Sequence, residues 1–336
     1  MRKVLEKLAL STFNTYALTR RQSARPFSTS AATLQDKKTI TIFKTIPSLR
    51  EWRQKLATEG RTLGFVPTMG GLHEGHLSLA KQAAGICDTV AVSIFVNPAQ
   101  FAPHEDLDKY PRMLEKDLEL LEATNSVDAV FLPTVKDIYP NGIPLDVEKQ
   151  QGTFVEVKGR SHQMEGQTRP GFFRGVATVV CKLFNIVQPT HAFFGQKDAQ
   201  QCVVLRSVIS DLHYPISFHV GETVREYDGL AMSSRNRYLT PEHRQFANVL
   251  YRALSKGKQA FENDGIRDSK RIIAKAQEVV ESESETKDVK LDYFSLAHPR
   301  TLEELESVGE DGAILSGAIY IAGTRLIDNM LLNCEL

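Results

Sequence analysis

Between an apolar run ending at Val66 and a helix-forming stretch lies the segment Pro67-Thr-Met69-Gly70-Gly-Leu-His73-Glu-Gly75-His76. Its two adjacent glycines let the backbone approach a ligand closely. A helix beginning there would present N–H groups and the positive end of its dipole to an anion. His73 and His76, spaced i and i+3, add side-chain donors on one side, so phosphate is the natural guest. The same residue types also make a tight turn with two helix-capping histidines, and spacing alone leaves both readings open. Zinc fits poorly: a metalloprotease helix carries H-E-x-x-H with the histidines at i and i+4, whereas H-E-G-H is one residue short and contains a helix-weakening glycine.

A second segment, Phe193-Phe-Gly-Gln-Lys197-Asp198, again follows an apolar run and precedes a helix pattern. Lys197 is a mobile point charge suited to a phosphate, and Asp198 suits a ribose hydroxyl, a metal or simply a helix cap. A third, Ala231-Met232-Ser233-Ser234-Arg235-Asn236, places two hydroxyls and a guanidinium in a row, a set that matches phosphate oxygens or an ordinary loop. Asn97 and Gln100, in Val96-Asn97-Pro-Ala-Gln100-Phe101, supply amides without charge, the means of orienting a small polar substrate or of making a turn. Glu115 and Asp117 fall on a helix pattern where they either meet magnesium or form a solvated face. Arg169, Arg174 and Lys182 either steer anions or pair on the surface. No nucleophile triad is recognisable.

These segments need elements to hold them. Short β-branched runs at 40–43, 62–66, 89–96 and 129–132 alternate with helical patterns at 48–57, 76–86 and 112–123. Pro67 is expected to stop the second strand. The almost continuously apolar 89–96 run suits the buried middle of a parallel sheet, and the alternation predicts a doubly wound α/β fold. Residues 133–171 read as an irregular lid or edge. The alternation then resumes with a helix at 176–187, a strand at 191–194, a helix at 200–209 and a strand at 216–220. Beyond Arg235 the order changes to helices at 241–261 and 266–280 followed by strands at 290–297, 312–321 and 325–332, an α+β arrangement. The expected division is residues 1–35 as a leader, 36–222 as the larger domain and 223–336 as a smaller lid. Glu281-Ser-Glu-Ser-Glu-Thr reads as a solvated loop.

Composition narrows the classes. The 336 residues carry 41 basic and 41 acidic side chains. Residues 1–35 hold six basic residues and one acid, so the remaining 301 have 35 basic and 40 acidic residues, a net of −5. A mildly acidic body lacks the basic face of a nucleic-acid binder. Cys87, Cys181, Cys202 and Cys334 form no C-x-x-C pair, which excludes a zinc ribbon, a thioredoxin site and a secreted disulfide framework. No apolar window is long enough to span a bilayer. The leader is rich in Ser and Thr, and its Arg25-Pro-Phe-Ser-Thr-Ser-Ala resembles a mitochondrial presequence cleavage site. The matrix is the expected address, the alternative being a basic tail without one on a cytoplasmic protein.

Four motifs in order, PTMGGLHEGH at 67–76, SIFVNPAQF at 93–101, FFGQKDAQQ at 193–201 and MSSRNRYL at 232–239, give residues 39–332 a resemblance to the pantothenate synthetase (pantoate-beta-alanine ligase) family. That family belongs to the nucleotidyltransferases with an H-x-x-H or H-x-G-H phosphate motif. The resemblance implies a Rossmann-like N-terminal domain, a smaller C-terminal domain closing over ATP, and a homodimer. It implies ligation of (R)-pantoate to beta-alanine through pantoyl adenylate, with Mg2+ accompanying ATP and no nucleic-acid or membrane partner. Carried onto this sequence, it assigns ATP contacts to Met69, Gly70, His73, Gly75, His76, Gly195, Lys197, Asp198, Val224, Met232, Ser233, Ser234 and Arg235. His76, His73 and Lys197 take the catalytic roles, with His76 as proton donor. Gln100 and Gln201 hold pantoate, and Asn97 supports that pocket. Asp117 is the one protein ligand implied for magnesium, and Lys116 stands where an acid often precedes it. The rival class, a non-catalytic nucleotide-binding protein on the same fold, would have no need of His73, His76, Lys197 and Arg235 together.

Overall fold

A computed structural model describes residues 38–103, 105–284 and 288–336; the leader lies outside them. The first part of the chain runs β1 (Thr41–Phe43), α1 (Ile46–Thr58), β2 (Leu63–Thr68), α2 (Glu74–Ile86), β3 (Thr89–Ile94), α3 (Leu114–Ala123) and β4 (Ala129–Phe131). After short helical turns come α4 (Phe172–Val187), β5 (His191–Gly195), α5 (Ala199–Asp211) and β6 (Ser217–Gly221). The last part holds α6 (Val249–Glu262), α7 (Ser269–Ser284) and strands β7 (Val289–Ala297), β8 (Ala313–Ile321) and β9 (Thr324–Leu332).

Strands β1 to β6 form one parallel sheet in the order 1-4-3-2-5-6. Parallel neighbours need crossover connections, and helices covering the sheet faces supply them. Helix α4, apolar nearly all round, fills one face: Val176, Val180, Leu183 and Phe184 pack against Leu63, Phe65 and Ala91. Helix α2 covers the other, its Leu77, Ala80 and Ala83 meeting Val66, Val90 and Phe193. The chain winds outward from β2 through β3 to β4 on one side and from β5 to β6 on the other. The direction therefore reverses between β2 and β5, where such sheets open a ligand crevice. Those two strands pair only at Gly64–His191 and Phe65–Ala192 and then separate.

This separation explains a departure from the expected pattern. Strand β2 continues through Pro67, which stays in register with Ser93 of β3. Phe95 N–H donates to the Thr68 carbonyl, so Pro67, one residue earlier, turns its missing donor toward the edge that β5 has already left.

The antiparallel sheet β7-β8-β9 is covered by α6 and α7 through Leu250, Leu254, Ile272, Ala276 and Leu315. The fold class expected from the sequence is present: a doubly wound parallel sheet followed by a smaller α+β part. The long helix expected at 241–261 is instead two, Pro241–Arg244 and Val249–Glu262. Arg244 is drawn to Glu226 and Asp228 at 2.6 Å each, and Asn248 Nδ2 donates to the Asp228 carbonyl at 3.2 Å, so the chain turns between them. Glu281 to Ser284 form the last turn of α7 rather than a loop, with Ser282 and Ser284 hydroxyls donating to carbonyls of Val279 and Val280.

Candidate active site

The crevice beyond β2 and β5 is a cavity of about 870 Å³. Its wall includes Met69 and His73 from the β2–α2 connection with Gly75 and His76 at the start of α2, and Gly195 at the end of β5, Lys197 and Asp198 in the turn after it and Gln201 in the first turn of α5. Asn97 and Gln100 after β3 and Val224, Met232, Ser233, Ser234 and Arg235 after β6 complete it. Of the residues that the resemblance assigns to ATP, pantoate or magnesium, all but Gly70 and Asp117 border this space; Glu115, Arg174 and Lys182 do not border it either.

The place of Gly70 and Asp117 is behind the loop. Gly70 and Gly71 have φ of 84° and 63°, left-handed values that β-carbons resist. Gly71 N–H and Leu72 N–H donate to the two oxygens of Asp117 at 2.9 and 2.8 Å. Asp117 is 1% exposed, so it is neither a solvated helical residue nor a carboxylate available to magnesium: it is the acceptor that fixes the glycine turn. Glu115 is exposed on the same helix. The turn's own carbonyls are taken by the third segment, Ser234 Oγ donating to Gly71 and Arg237 to Leu72.

The histidines combine the two roles left open by their spacing. His73 Nδ1 accepts from Gly75 N–H at 3.2 Å, capping α2, and His76 Nδ1 accepts from His73 N–H at 3.4 Å. With Nδ1 engaged, the neutral ring carries its proton on Nε2, leaving one N–H donor per ring for a ligand. Burial, then the neighbouring His76, Lys197 and Arg237, push His73 down to about 2. Burial dominates at His76 as well, where the opposing pull of Asp198 leaves it at about 4. Both rings are therefore neutral hydrogen-bond donors near pH 7.

Lys197 and Asp198 occupy a single 3-10 turn, Gln196–Asp198, with Lys197 Nζ 3.9 Å from the Asp198 carboxylate. Asp198 holds the N-cap position of α5 but makes no capping hydrogen bond, so capping alone does not account for it. Across the cavity, Met232 N–H donates to the Val224 carbonyl, closing a narrow antiparallel ribbon. Ser233 caps the following 3-10 turn by accepting from Arg235 N–H at 3.2 Å. Arg235 itself is held by both oxygens of Asp106 at 2.9 and 3.2 Å.

The amide cluster is pre-set from behind. Buried Asn97 accepts from the Tyr139 hydroxyl at 2.7 Å and donates to Gly175 O and to Gln100 Oε1 at 3.0 Å. Gln100 thus has its carbonyl occupied, and its NH2 group is the donor left for a substrate. Helix α4 can approach this turn because residue 175 is glycine: a β-carbon there would fall 2.1 Å from the Ala99 carbonyl oxygen. The three cations expected either to steer anions or to pair are all engaged. Arg169 pairs with Glu105 at 2.6 Å and stacks on Phe172, Arg174 donates to Gln150 over the Phe154 ring, and Lys182 donates to Ile138 O.

Several contributors escape sequence reasoning. Arg325 on β9 grips both oxygens of buried Glu165 at 2.7 Å and also reaches Asp292, while the Tyr293 hydroxyl donates to Glu165. Burial alone would raise the Glu165 carboxyl, but hydrogen bonds and charge from Arg325 outweigh it and hold it below the ordinary carboxylate value. Asp328 and Asn329 interrupt β9 with two consecutive buried polar residues, the one signal in the sequence that this strand serves more than a core.

Comparison with known proteins agrees with this geometry. The family model described as pantoate-beta-alanine ligase matches residues 41–331. The pantothenate synthetase of Chloroflexus aggregans is 53% identical over 270 residues, 80% of this chain and 93% of that protein. The pantoate-beta-alanine ligase of Saccharomyces cerevisiae is 44% identical, covering 87% of this chain and 99% of its own. Among solved structures, pantothenate synthetase from Thermus thermophilus superposes with a TM-score of 0.77 at 39% identity, over 87% of this chain and 99% of that one. The Francisella tularensis pantoate-beta-alanine ligase, complexed with beta-gamma ATP and beta-alanine, gives 0.69 at 34% identity, covering 87% and 98%. A switch-point crevice walled by all four motifs, together with matches spanning nearly the whole described chain, places this protein in the pantoate-beta-alanine ligase family.

Proposed function

We propose that this chain is an enzyme that condenses (R)-pantoate with beta-alanine, using ATP, in two displacements. A pantoate carboxylate oxygen attacks the α-phosphorus and diphosphate leaves, giving pantoyl adenylate. The beta-alanine amine then attacks the acyl carbon, AMP leaves, and the product is pantothenate. Neither step needs a covalent bond to the protein, which suits a cavity without a nucleophile triad. Catalysis rests on positioning and on donors aimed at growing negative charge. His73 and His76 offer Nε2–H donors to phosphate oxygens, Lys197 supplies a mobile cation, and Ser233, Ser234 and Arg235 approach from the opposite wall. Gln100 and Gln201 orient pantoate, with Asn97 fixing Gln100.

The observation that carries this reading is the convergence of the four motifs on one cavity from separate connections of the fold. Magnesium accompanies the nucleotide in our reading, held by phosphate oxygens and water. Asp117 is spent on the glycine turn, and among the described residues no group of three His, Cys, Asp or Glu side chains is placed to hold a metal ion. We assign the protein to homodimers and, from residues 1–35, to the mitochondrial matrix, with the cytoplasm as the alternative. Among the described residues no helix is long and apolar enough to cross a membrane.

An omission assay tests the reaction. AMP is expected only when ATP, pantoate and beta-alanine are all present, and exchange of labelled diphosphate into ATP only when pantoate is present. Exchange that proceeds without pantoate would overturn the proposed first step.

A further inference from the structure

Strand β9 reaches back from the C-terminal sheet to the turn that carries Lys197. Asn329, 2% exposed, donates from Nδ2 to the carbonyls of Gln196 and Lys197 at 2.8 and 2.9 Å, and its Oδ1 accepts from Gln196 Nε2 at 3.3 Å. Every donor of this amide, and its oxygen, is therefore spent on one turn. Its own backbone is fixed in turn: Asn329 N–H donates to Asp328 Oδ1, and buried Asp328 is gripped by both terminal nitrogens of Arg225. The Gln196–Asp198 turn is held at its two ends by β5, where Gly195 pairs with Gly221, and by α5, while Asp198 makes no side-chain cap; Asn329 is what grips the carbonyls between them.

We infer that Asn329 is a positioning residue for Lys197, holding the turn so that the ammonium group faces the phosphates. The inference rests on the nucleotide role proposed for Lys197. A donor lost at 329 takes from two carbonyls of one short turn the side-chain partner they share. Only an amide at 329 satisfies both carbonyls while accepting from Gln196; aspartate is the same size but sets a carboxylate oxygen against two carbonyl oxygens. The C-terminal sheet thereby shapes the nucleotide site of the larger sheet without itself touching the phosphates at this point.

A double-mutant cycle in the full chain separates positioning from bulk stability. Pantoate-dependent diphosphate–ATP exchange is measured for wild type, Asn329→Asp, Asn329→Ser, Lys197→Ala and the two doubles, with melting temperatures alongside. Lys197→Ala is expected to lose about 100-fold in kcat/KM for ATP, the scale of removing one charge-stabilising group. Asn329→Asp and Asn329→Ser are expected to lose about 10-fold or more, chiefly in the ATP-dependent parameters, and less than about 3-fold once Lys197 is already alanine. An equal loss in both backgrounds, or variants unfolded at the assay temperature, would overturn the positioning role and leave Asn329 a stability determinant. Full exchange by Lys197→Ala would instead overturn the nucleotide role of the lysine, whatever Asn329 does.

Discussion

Replacing His76 with alanine is expected to slow pantoyl adenylate formation by about 100- to 1,000-fold, the effect of deleting an aligned donor to developing charge. The ring is fixed on both sides: His73 N–H occupies Nδ1, and the imidazoles lie 4.1 Å apart between ring centres. Water in the vacated space would be mobile where the ring is preorganised. Diphosphate–ATP exchange at saturating pantoate is the measurement, and a rate within about threefold of wild type would remove His76 from the phosphate site. The depressed ring values also set a folding linkage. The native protein resists protons that the unfolded chain takes up near 6.5, so this contribution to stability is complete above that pH and drains away as pH falls toward 4.

Arg325→Ala is expected to cost about 3–5 kcal/mol of folding stability, because it leaves the buried Glu165 carboxylate without its cation. The pH dependence identifies the cause. In the wild type the Glu165 carboxyl is held low, so its contribution is present above the unfolded value of 4.5 and is lost as pH falls through the folded one. Without Arg325, burial dominates and raises that carboxyl. Its protonated form then folds more readily, and the variant weakens as pH rises. The gap between variant and wild type should therefore narrow from pH 7.5 to pH 5 in urea denaturation. A gap below about 1 kcal/mol at both values, the scale of an exposed pair, would show that the network carries little.

The legible parts of the fold were those written in one stretch of chain. Strand β3 and helix α4 read directly because both are buried on nearly all sides, and α2 read from its helical spacing, with Leu77, Ala80 and Ala83 on the buried face. The motifs read as phosphate-binding segments because turn, donors and following helix are contiguous. Pro67 misled because a strand's tolerance for proline depends on which neighbour it faces, a property of the sheet and not of the segment. Asp117 misled for a similar reason: helical spacing put it on a plausible solvent face, whereas the glycine turn 45 and 46 positions earlier claims both its oxygens. Glu165 and Arg325 are 160 positions apart, and Asn329 and Lys197 are 132 apart. Such pairings exist only once the two sheets are built; the polar pair Asp328-Asn329 marks β9 as unusual, but a single sequence does not name the partners.

The central claim is that one triphosphate bridges the start of α2, the Lys197 turn and the Ser233–Arg235 turn. The most direct measurement is a crystal structure of the full chain with a non-hydrolysable ATP analogue and pantoate. The expected result has the β- and γ-phosphates within hydrogen-bonding distance of His73 Nε2, His76 Nε2 and Lys197 Nζ, with the Ser233–Arg235 turn against the same phosphates. A triphosphate bound elsewhere, or in the crevice but out of reach of both imidazoles and the lysine, would contradict it.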